Sequence, residues 1–477
     1  PGPGEDGEIV TVAEGQLQGT INDGIYCYLG VPYAEAAERF VTAGPVTPWE
    51  GVLKADSYGP MSPQGSMLGF GAGNQDGTDN NCQNLNIWTP GLNDGGLRPV
   101  LVWLHGGGFS TGTANDSSYD GEALAKNGDV VVVSVNHRLN VFGYLDLSAY
   151  DEKYKDSANV GMWDIIAALE WIQQNIEVFG GDPDNVTVFG QSGGGAKVLG
   201  LMSTPYAVGL FHKGIVESGV TETVGVNFTS QEASTRLAEN LLAELNIAPE
   251  NIEQLQIVAV DKLQSAATKA LDATAQEFQI PAPLTDGYQM EWEPVVDGDF
   301  LPTSPVTETN FADAGQDIPL LIGSNLNEWT GFYRTSTDGV DTDALSAALK
   351  TAYPDKTDLT ADHVDTLIRL PILKTMSHKA DQNGAPVYAY LLTYGSSNHG
   401  AEIPYIFRHS DVSAMNDLFS SIWVNFARSG VPSADSLPTW EPYTREGGAT
   451  MLLDTTSQLV YHHDAALLKL LAPDYEY

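Results

Sequence analysis

One serine of the chain lies in a sequence context that is typical of a catalytic nucleophile. The pattern G-x-S-x-G is formed by Gly190, Gln191, Ser192, Gly193 and Gly194. The apolar residues 186–189 before it predict a buried strand, and the residues after it predict a helix. Strand, sharp turn and helix make a nucleophile elbow, in which glycines permit the strained turn that exposes the serine hydroxyl. The pattern favours acyl transfer through Ser192; the alternative is a glycine-rich turn with an incidental serine.

A second glycine-rich segment lies upstream, again after an apolar run. Residues 99–104 predict a strand, and His105, Gly106, Gly107 and Gly108 follow directly. Backbone N–H groups of such a loop can form an oxyanion hole, because glycines let the backbone approach a substrate carbonyl closely. On its own the segment could be a flexible turn. Its position upstream of G-x-S-x-G favours the oxyanion hole.

A serine nucleophile of this kind needs an acid and then a histidine later in the chain. Of the nine histidines, His399 fits best, because it lies in a polar loop directly after the apolar run 386–392. A loop after a late strand can bring a general base to the serine hydroxyl. His409 is the nearest competitor. The remaining histidines come too early, belong to the glycine loop, or lie in or beside helical patterns: His105, His137, His212, His363, His378, His462 and His463.

Glu328 is the candidate for the acid. It follows the apolar run 318–323 by a short polar loop. In a triad, its carboxylate would hold the imidazole in one tautomer and stabilise the imidazolium. Spacing alone favours an ordinary surface acid, since the chain has 62 acidic residues. Asp297 and Asp299 are rival candidates.

Further motifs are spread over most of the chain. They are Tyr-Leu-Gly-Val-Pro-Tyr-Ala (28–34), Arg-Phe (39–40), Trp-Glu-Gly-Val (49–52), Asn-Cys-Gln-Asn-Leu-Asn-Ile-Trp-Thr-Pro (81–90), Asn-His-Arg-Leu (136–139), Phe-Gly (142–143), Asn-Val-Gly (159–161), Asp164, Phe-Gly-Gly-Asp-Pro (179–183), Asn-Leu-Asn-Glu (325–328) and His-Gly-Ala-Glu-Ile (399–403). With the two glycine segments, they make the chain resemble the type-B carboxylesterases, a branch of the α/β-hydrolase fold that includes cholinesterases, fungal lipases and bacterial p-nitrobenzyl esterases.

The resemblance implies a catalytic constellation. Its members are the nucleophile Ser192, the acid Glu328, the base His399 and oxyanion donors at Gly107, Gly108 and Gly193. It also implies the α/β-hydrolase fold, with a mostly parallel central sheet, helices on both faces and insertions around the active-site mouth. Neither a metal nor an organic cofactor is expected, because such a triad supplies nucleophile, base and electrostatic stabilisation by itself.

Three departures from the family pattern stand out. The family usually has Ala after the nucleophile, where this chain has Gly193, and usually has Gly after the triad acid, where this chain has Trp329. The family often has a cysteine near residues 59–60 that bridges to the position of Cys82, and this chain has none there. Trp103, Phe109 and Trp329 are candidates for lining the pocket, although packing is the commoner role of such aromatic residues.

The predicted elements argue for one large domain over residues 1–477. Apolar strands alternate with a helical pattern at residues 160–176, and this alternation predicts a parallel sheet covered on both faces. Sheet motifs run from about residue 8 to about residue 453, so no cut separates two complete cores. The loop at residues 65–81 and the helical segment at residues 229–275 are expected at the active-site mouth; the alternative for both is surface decoration.

The net charge of −40 restricts the partners. It argues against nucleic acids, which need basic patches, and against anionic membranes. No apolar run is long enough for a membrane span. The charge also repels anionic substrates at long range, so neutral small-molecule esters are favoured. The oligomeric state stays open.

The two cysteines leave the compartment open. Cys27 and Cys82 are either paired or both free thiols. A disulfide would favour a secreted or extracytoplasmic protein, whereas free thiols would favour the cytoplasm.

The sequence therefore predicts a serine carboxylic-ester hydrolase. One alternative is a binding or adhesion protein that keeps the fold without catalysis, which the presence of Ser192, Glu328 and His399 argues against. Within the enzyme class, a lipase or an amidase remains an alternative. A lipase would need an exposed apolar lid, but the helical segment carries several charged residues: Glu232, Arg236, Glu239 and Glu244.

Overall fold

A computed structural model describes residues 4–65, 75–329 and 331–477. Its strands are β1 Glu5–Val12, β2 Gly15–Asn22, β3 Ile25–Pro32, β4 Val52–Lys54, β5 Asn84–Thr89, β6 Arg98–Leu104, β7 Val131–Val135, β8 Gly181–Gln191, β9 Lys213–Glu217, β10 Thr229–Ser230, β11 Val295–Val296, β12 Leu320–Asn325, β13 Val387–Leu392, β14 Ala449–Leu453 and β15 Gln458–Tyr461. The helices are α1 Glu122–Gly128, α2 Asn140–Tyr144, α3 Val160–Asn175, α4 Gly193–Leu201, α5 Gln231–Leu245, α6 Val260–Phe278, α7 Thr342–Ala352, α8 Arg369–Asp381, α9 Ile403–Ile406, α10 Ser413–Ser429 and α11 Ala465–Leu471. Short 3₁₀ turns lie at Ser117–Tyr119, Glu152–Tyr154, Ser157–Asn159, Ile176–Phe179, Pro205–Ala207, Pro249–Gln256, Asp313–Gly315 and Ala361–His363.

One large sheet organises the molecule. Its strand order is β1-β2-β3-β5-β7-β6-β8-β9-β12-β13-β14-β15, and β4 pairs with β2. From β7 to β14 every neighbouring pair is parallel, whereas β1, β2, β3 and β5 at one edge and β15 at the other pair in antiparallel fashion. The carboxyl ends of the parallel strands therefore lie along one edge, where ligands bind in open α/β sheets.

Helices cover both faces of the sheet, as predicted. Along β6, Val100, Val102 and Leu104 pack into one apolar cluster, while Leu101 and Trp103 pack into a second. This alternation follows from the two-residue period of a strand. The first cluster includes residues of α3 and α4, and the second includes residues of α1 and α10. A strand buried on both faces must be apolar throughout, which explains the uninterrupted apolar runs in the sequence.

The strand β12 begins later than the sequence pattern predicts. The apolar run 318–323 predicts a strand from residue 318, but β12 begins at Leu320. Pro319 has no N–H to donate to a neighbouring strand. Its carbonyl oxygen accepts a hydrogen bond from the Gly214 N–H at 3.0 Å, an ordinary length. The proline therefore delays the start of regular pairing.

The expected insertions are only partly visible. Residues 66–74 of the loop at 65–81 lie outside the described residues. The segment 229–275 is mainly helical, as α5 and α6, joined by the 3₁₀ turn Pro249–Gln256. None of the helices in the described residues is long and apolar enough to cross a membrane. Cys27 and Cys82 are free thiols, so the paired alternative is not what this structure contains.

Candidate active site

Ser192 stands at the turn between β8 and α4. Its backbone has φ 56° and ψ −126°, a strained conformation for a residue with a side chain. The surrounding close contacts require glycine: a Cβ on Gly194 would lie 1.9 Å from the Leu104 carbonyl oxygen, and one on Gly190 would lie 2.4 Å from the Gly194 carbonyl. The tight packing between β6, β8 and α4 holds the turn in place and presents the hydroxyl at the carboxyl edge of the sheet.

His399 and Glu328 meet at the same edge. His399 Nδ1 lies 2.7 Å from Glu328 Oε2, and the His399 N–H donates to the Glu328 carbonyl oxygen at 2.8 Å. Glu328 follows β12 and His399 follows β13, and these two strands pair in parallel. Neighbouring parallel strands bring the loops at their carboxyl ends together, which explains how residues 71 positions apart form one pair.

The Glu328 carboxylate is buried and fixed from its other side. Its Oε1 accepts hydrogen bonds from the Ser218 hydroxyl and from the Asn325 N–H, the latter at 2.8 Å. Both partners lie at or just beyond strand ends, Ser218 after β9 and Asn325 at the end of β12. The carboxylate therefore has one oxygen for the imidazole and one for orientation, as a buried charged group requires.

Ser192 and His399 line one cavity of about 110 Å³. Trp329 lines it too and stacks on the His399 ring, with centroids 4.3 Å apart. The departure at position 329 thus places an aromatic wall beside the imidazole. Trp103 and Phe109 are instead buried in the two apolar clusters, which is the packing role.

The Ser192 hydroxyl makes no hydrogen bond to another described residue. The Gln191 side-chain nitrogen lies 3.3 Å from His399 Nε2. With Nδ1–H donating to Glu328, Nε2 carries a lone pair, so the Gln191 amide can donate to it. The Gln191 amide therefore uses the lone pair that must accept the proton of the serine hydroxyl.

The glycine loop packs directly on the start of α4. A Cβ on Gly193 would lie 2.3 Å from the Gly108 carbonyl oxygen and 2.4 Å from its Cα. Gly107 and Gly108 have φ of 93° and 61°, which glycine adopts most readily. Across the part of the chain that the structure describes, the amides of Gly107, Gly108 and Gly193 have no hydrogen-bond acceptor. Gly108 and Gly193 line the cavity, and Gly107 precedes them in the loop.

Three buried carboxyl groups act on the imidazole, and we call Glu328, Asp365 and Glu402 the carboxyl side of the cleft. Among the described residues, no Lys or Arg forms an ion pair with any of them. Burial, and then the charge of Glu328, raises the pKa of Asp365 and of Glu402 to about 7. Burial alone lowers the pKa of His399, but its hydrogen bond with Glu328 and the charges of Glu328, Glu402 and Asp365 outweigh burial and raise it. The carboxyl side therefore favours an imidazolium.

A buried amine lies against the glycine loop, and we call Lys197, His105 and His137 the amine side. Lys197 Nζ donates to the His105 carbonyl oxygen at 2.9 Å and lies 5.6 Å from the centre of the Phe109 ring. Within the described residues, no carboxylate pairs with it. Burial lowers the pKa of Lys197 to about 7. Burial, followed by the charge of Lys197, lowers the pKa of His105 and of His137, so these stacked imidazoles are neutral.

The rival residues lie in other surroundings. Asp297 accepts hydrogen bonds from Asn159 and from the backbone N–H groups of Asp299 and Leu301, which is the role of a turn residue. Asp299 accepts a hydrogen bond from the Tyr206 hydroxyl. The backbone N–H of His409 donates to the Pro404 carbonyl, and its ring lies beside Phe407. The structure brings Ser192, His399 and Glu328 together, and it does not bring these rivals to them.

Comparison with known proteins identifies the family. The model of the carboxylesterase family matches residues 6–361 and 344–467, which is most of the chain. The chain belongs to the carboxylesterase family. It is similar to the para-nitrobenzyl esterase of Bacillus subtilis (strain 168), with 33% identity over 94% of this chain and 95% of that protein. It is also similar to the phenmedipham hydrolase of Pseudarthrobacter oxydans, with 30% identity over 93% and 94% of the two chains.

Solved structures agree with this assignment. An esterase from anaerobic Clostridium hathewayi, which can hydrolyse aliphatic aromatic polyesters, superposes with a TM-score of 0.86 at 33% identity, covering 98% of each chain. Such relatives have the α/β-hydrolase fold, which confirms the fold predicted from the sequence. The carboxylesterase is thus a hydrolase of carboxylic esters.

Some site residues of this carboxylesterase were not found from the sequence. Gln191 and Ser218 contact the candidate triad, Glu402 acts on His399, and Lys197 lies against the glycine loop. Two signals were available. Glu402 is part of the His-Gly-Ala-Glu-Ile motif, and Lys197 is a charged residue one turn into a helix whose other positions are small or apolar.

Proposed function

We propose that this carboxylesterase hydrolyses neutral esters with Ser192 as nucleophile, His399 as base and Glu328 as triad acid. The observation that carries the proposal is the 2.7 Å contact between His399 Nδ1 and Glu328 Oε2 beside a cavity that Ser192 also lines. Because the carboxylate fixes the proton on Nδ1, the lone pair of Nε2 can accept the serine proton.

Acylation starts when the Ser192 hydroxyl displaces the Gln191 amide from His399 Nε2. The oxygen attacks the ester carbonyl carbon while its proton moves to Nε2. The carbonyl oxygen becomes an oxyanion, and the amides of Gly107, Gly108 and Gly193 are the proposed donors to it. The intermediate then collapses: the bond to the alcohol oxygen breaks, and that oxygen takes the proton from His399.

Deacylation repeats these steps with water. His399 Nε2 removes a proton from a water molecule, whose oxygen attacks the acyl carbon on Ser192. The bond to Ser192 breaks, and the serine oxygen recovers its proton from His399. The products are the free acid and the free alcohol.

We also propose that residues 1–477 act as one catalytic domain in which the segment 229–275 borders the active-site mouth. In support, Thr229, Ser230 and Ala233 line a second cavity that adjoins the one containing Ser192. The helices α5 and α6 of this segment pack on each other and contribute to the same apolar cluster as α3 and α4.

The test is hydrolysis of p-nitrophenyl esters, from acetate to dodecanoate, by the wild type and by Ser192→Ala. We expect activity that Ser192→Ala lowers on the order of 10⁶-fold, by analogy with loss of a serine nucleophile in proteases. Ser218→Ala is the matched control, because Ser218 is a second serine that lines the same cavity but donates its hydroxyl to Glu328. Activity that survives in Ser192→Ala, or a folded wild type that hydrolyses none of the esters, would contradict the proposal.

A further inference from the structure

A second cavity adjoins the catalytic one. It has a volume of about 260 Å³, and Val224, Pro283 and Glu291 line both cavities. The two cavities therefore share a boundary, and the side cavity lies next to the place of a substrate held at Ser192. We call it the side cavity; its walls are mostly apolar and include Phe228, Phe278, Ile280 and Met290.

Two carboxyl groups are the charged groups among the described residues that line this cavity. Glu293 is only 9% exposed, and the Thr229 hydroxyl donates to its Oε1 at 2.8 Å, while its Oε2 is buried and has no hydrogen-bond partner. Glu291, two residues earlier, is half-buried and lines both cavities. Its Oε1 accepts one long hydrogen bond, of 3.4 Å, from the Gln289 side-chain amide. Neither glutamate has a Lys or Arg partner among the described residues, and no such residue lines the side cavity.

From this arrangement we infer that the side cavity binds a cationic amine substituent of the substrate, held by Glu291 and Glu293. The inference rests on the proposed function, because the cation must belong to an ester that reacts at Ser192, and it extends the substrates from neutral to cationic esters. A substituted ammonium group suits the cavity chemically, since its carbon atoms contact the apolar walls while its charge meets the carboxylates. Among the described residues that line the two cavities, the one basic group is His399, which the triad uses.

The electrostatics of the site favour such a ligand. Burial raises the pKa of Glu291, and burial, followed by the charge of Glu291, raises the pKa of Glu293 well above its usual range. A carboxylate that is costly to desolvate regains favourable interactions when a cation binds beside it. The net charge of −40 also attracts cations to the molecule at long range, by the same argument that excludes anionic esters.

The experiment compares matched esters that differ only in charge. One is the p-nitrophenyl ester of an ω-trimethylammonio-pentanoic acid, and its isostere carries a tert-butyl group in place of trimethylammonium. A second pair carries the same two groups on the alcohol side of an acetate ester. In each enzyme we would measure the ratio of kcat/KM for the cationic ester to kcat/KM for its isostere, because the ratio cancels any general loss of activity.

The wild type should prefer the cationic ester in at least one pair. Glu291→Gln and Glu293→Gln should each lower that ratio by roughly tenfold, and the double variant by more. Glu446→Gln removes one charge from an exposed position and serves as the control for the long-range field. Equal ratios in the wild type and the double variant, or an equal drop in Glu446→Gln, would overturn the inference.

A binding measurement separates this inference from the proposed mechanism. Pentyltrimethylammonium cannot be hydrolysed, so its affinity, measured by calorimetry, does not depend on Ser192. We expect the double variant Glu291→Gln/Glu293→Gln to bind it at least about tenfold more weakly than the wild type. A wild type that binds pentyltrimethylammonium but hydrolyses no ester would contradict the proposed triad and leave the amine site standing. Equal affinity in the wild type and the double variant would overturn the amine site.

Discussion

The two sides of the catalytic cleft are both buried, yet their ionisable groups are opposite in kind. On the carboxyl side, three acidic groups act on one imidazole, and no Lys or Arg pairs with them among the described residues. On the amine side, Lys197 lies beneath the glycine loop with two neutral imidazoles, and no carboxylate pairs with it in the described part of the chain. Unpaired buried charges are costly, so each side lowers the stability of the fold.

The charges of the proposed transition state explain the difference. During attack, positive charge develops on His399 and negative charge develops on the substrate oxygen near the glycine amides. In our proposal, the carboxyl side stabilises the positive charge, and the Lys197 ammonium, which lies against the glycine loop, stabilises the negative charge. Because catalysis depends on interactions that strengthen in the transition state, two separated and oppositely charged sides are more useful than one neutral ion pair would be.

The largest expected effect comes from the carboxyl side. Glu328→Gln keeps the shape of the side chain but removes the charge that stabilises the imidazolium and the acceptor that fixes its tautomer. We expect kcat/KM to fall on the order of 10⁴-fold, as for the corresponding change in a serine protease. Steady-state hydrolysis of a p-nitrophenyl ester measures this. Glu446→Gln, at an exposed position, should have no such effect, and a loss below about tenfold in Glu328→Gln would remove this residue from the triad.

The contact between the glycine loop and α4 should give the next largest effect. Gly193→Ala places a methyl group 2.3 Å from the Gly108 carbonyl oxygen, so the loop must move away from the serine. We expect kcat to fall about 10²-fold, the usual cost of losing one oxyanion donor. Gly44→Ala is a matched control, because the added methyl group would meet no atom closer than 4.0 Å. Unchanged kcat in Gly193→Ala would contradict this prediction. It would mean that the glycine loop accommodates the methyl group, as it does in relatives that have Ala at this position.

Lys197→Met tests the amine side. Methionine fills a similar volume without charge, so kcat/KM at neutral pH should fall roughly tenfold while the melting temperature does not fall. Lys379→Met is the control: Lys379 is also buried and donates to a backbone carbonyl, at Gly315, and burial lowers its pKa to about 8. If both variants lose activity equally, the effect of Lys197 is structural and the comparison between the two sides fails.

A smaller effect is expected from Glu402→Gln. Glu402 accepts a hydrogen bond from Asn325 at 2.7 Å and is one of the charges that raise the pKa of His399. Removing it should move the acidic limb of the kcat/KM profile to lower pH by about half a unit, with the maximal rate changed less than about threefold. A pH titration of hydrolysis measures the limb, and a shift to higher pH would contradict the assigned role.

The local parts of this site could be predicted from the sequence. Ser192 and Gly108 lie in short motifs directly after apolar runs, and a parallel sheet fixes where such loops lie relative to one another. His399 was selected from nine histidines by its place after a late strand, and the structure puts it against Glu328. These predictions depend only on the order of elements and the position of each residue in its loop.

The two charged sides could not be predicted in the same way. A Glu or Lys is exposed by default, so the burial of Glu402 and Lys197 depends on which distant elements pack over them. Likewise, the sequence shows Gln191 only as the variable position of its motif. Its contact with His399 joins residues 208 positions apart, which the motif does not indicate. The same limit applies to Cys27 and Cys82, for which the sequence left pairing open and the structure shows free thiols.

The pH dependence of kcat/KM, from about pH 5 to about pH 9, tests the charged sides most directly. His399 must be neutral to act as a base, so activity should rise with pH as the imidazolium loses its proton. The pKa of His399 is raised, so this rise should be centred above the ordinary pKa of histidine. Lys197 must be charged to stabilise the oxyanion, so activity should fall as pH rises through its pKa of about 7. The account predicts a narrow bell whose alkaline limb disappears in Lys197→Met and remains in Lys379→Met. An alkaline limb that is the same in the wild type and Lys197→Met would contradict it.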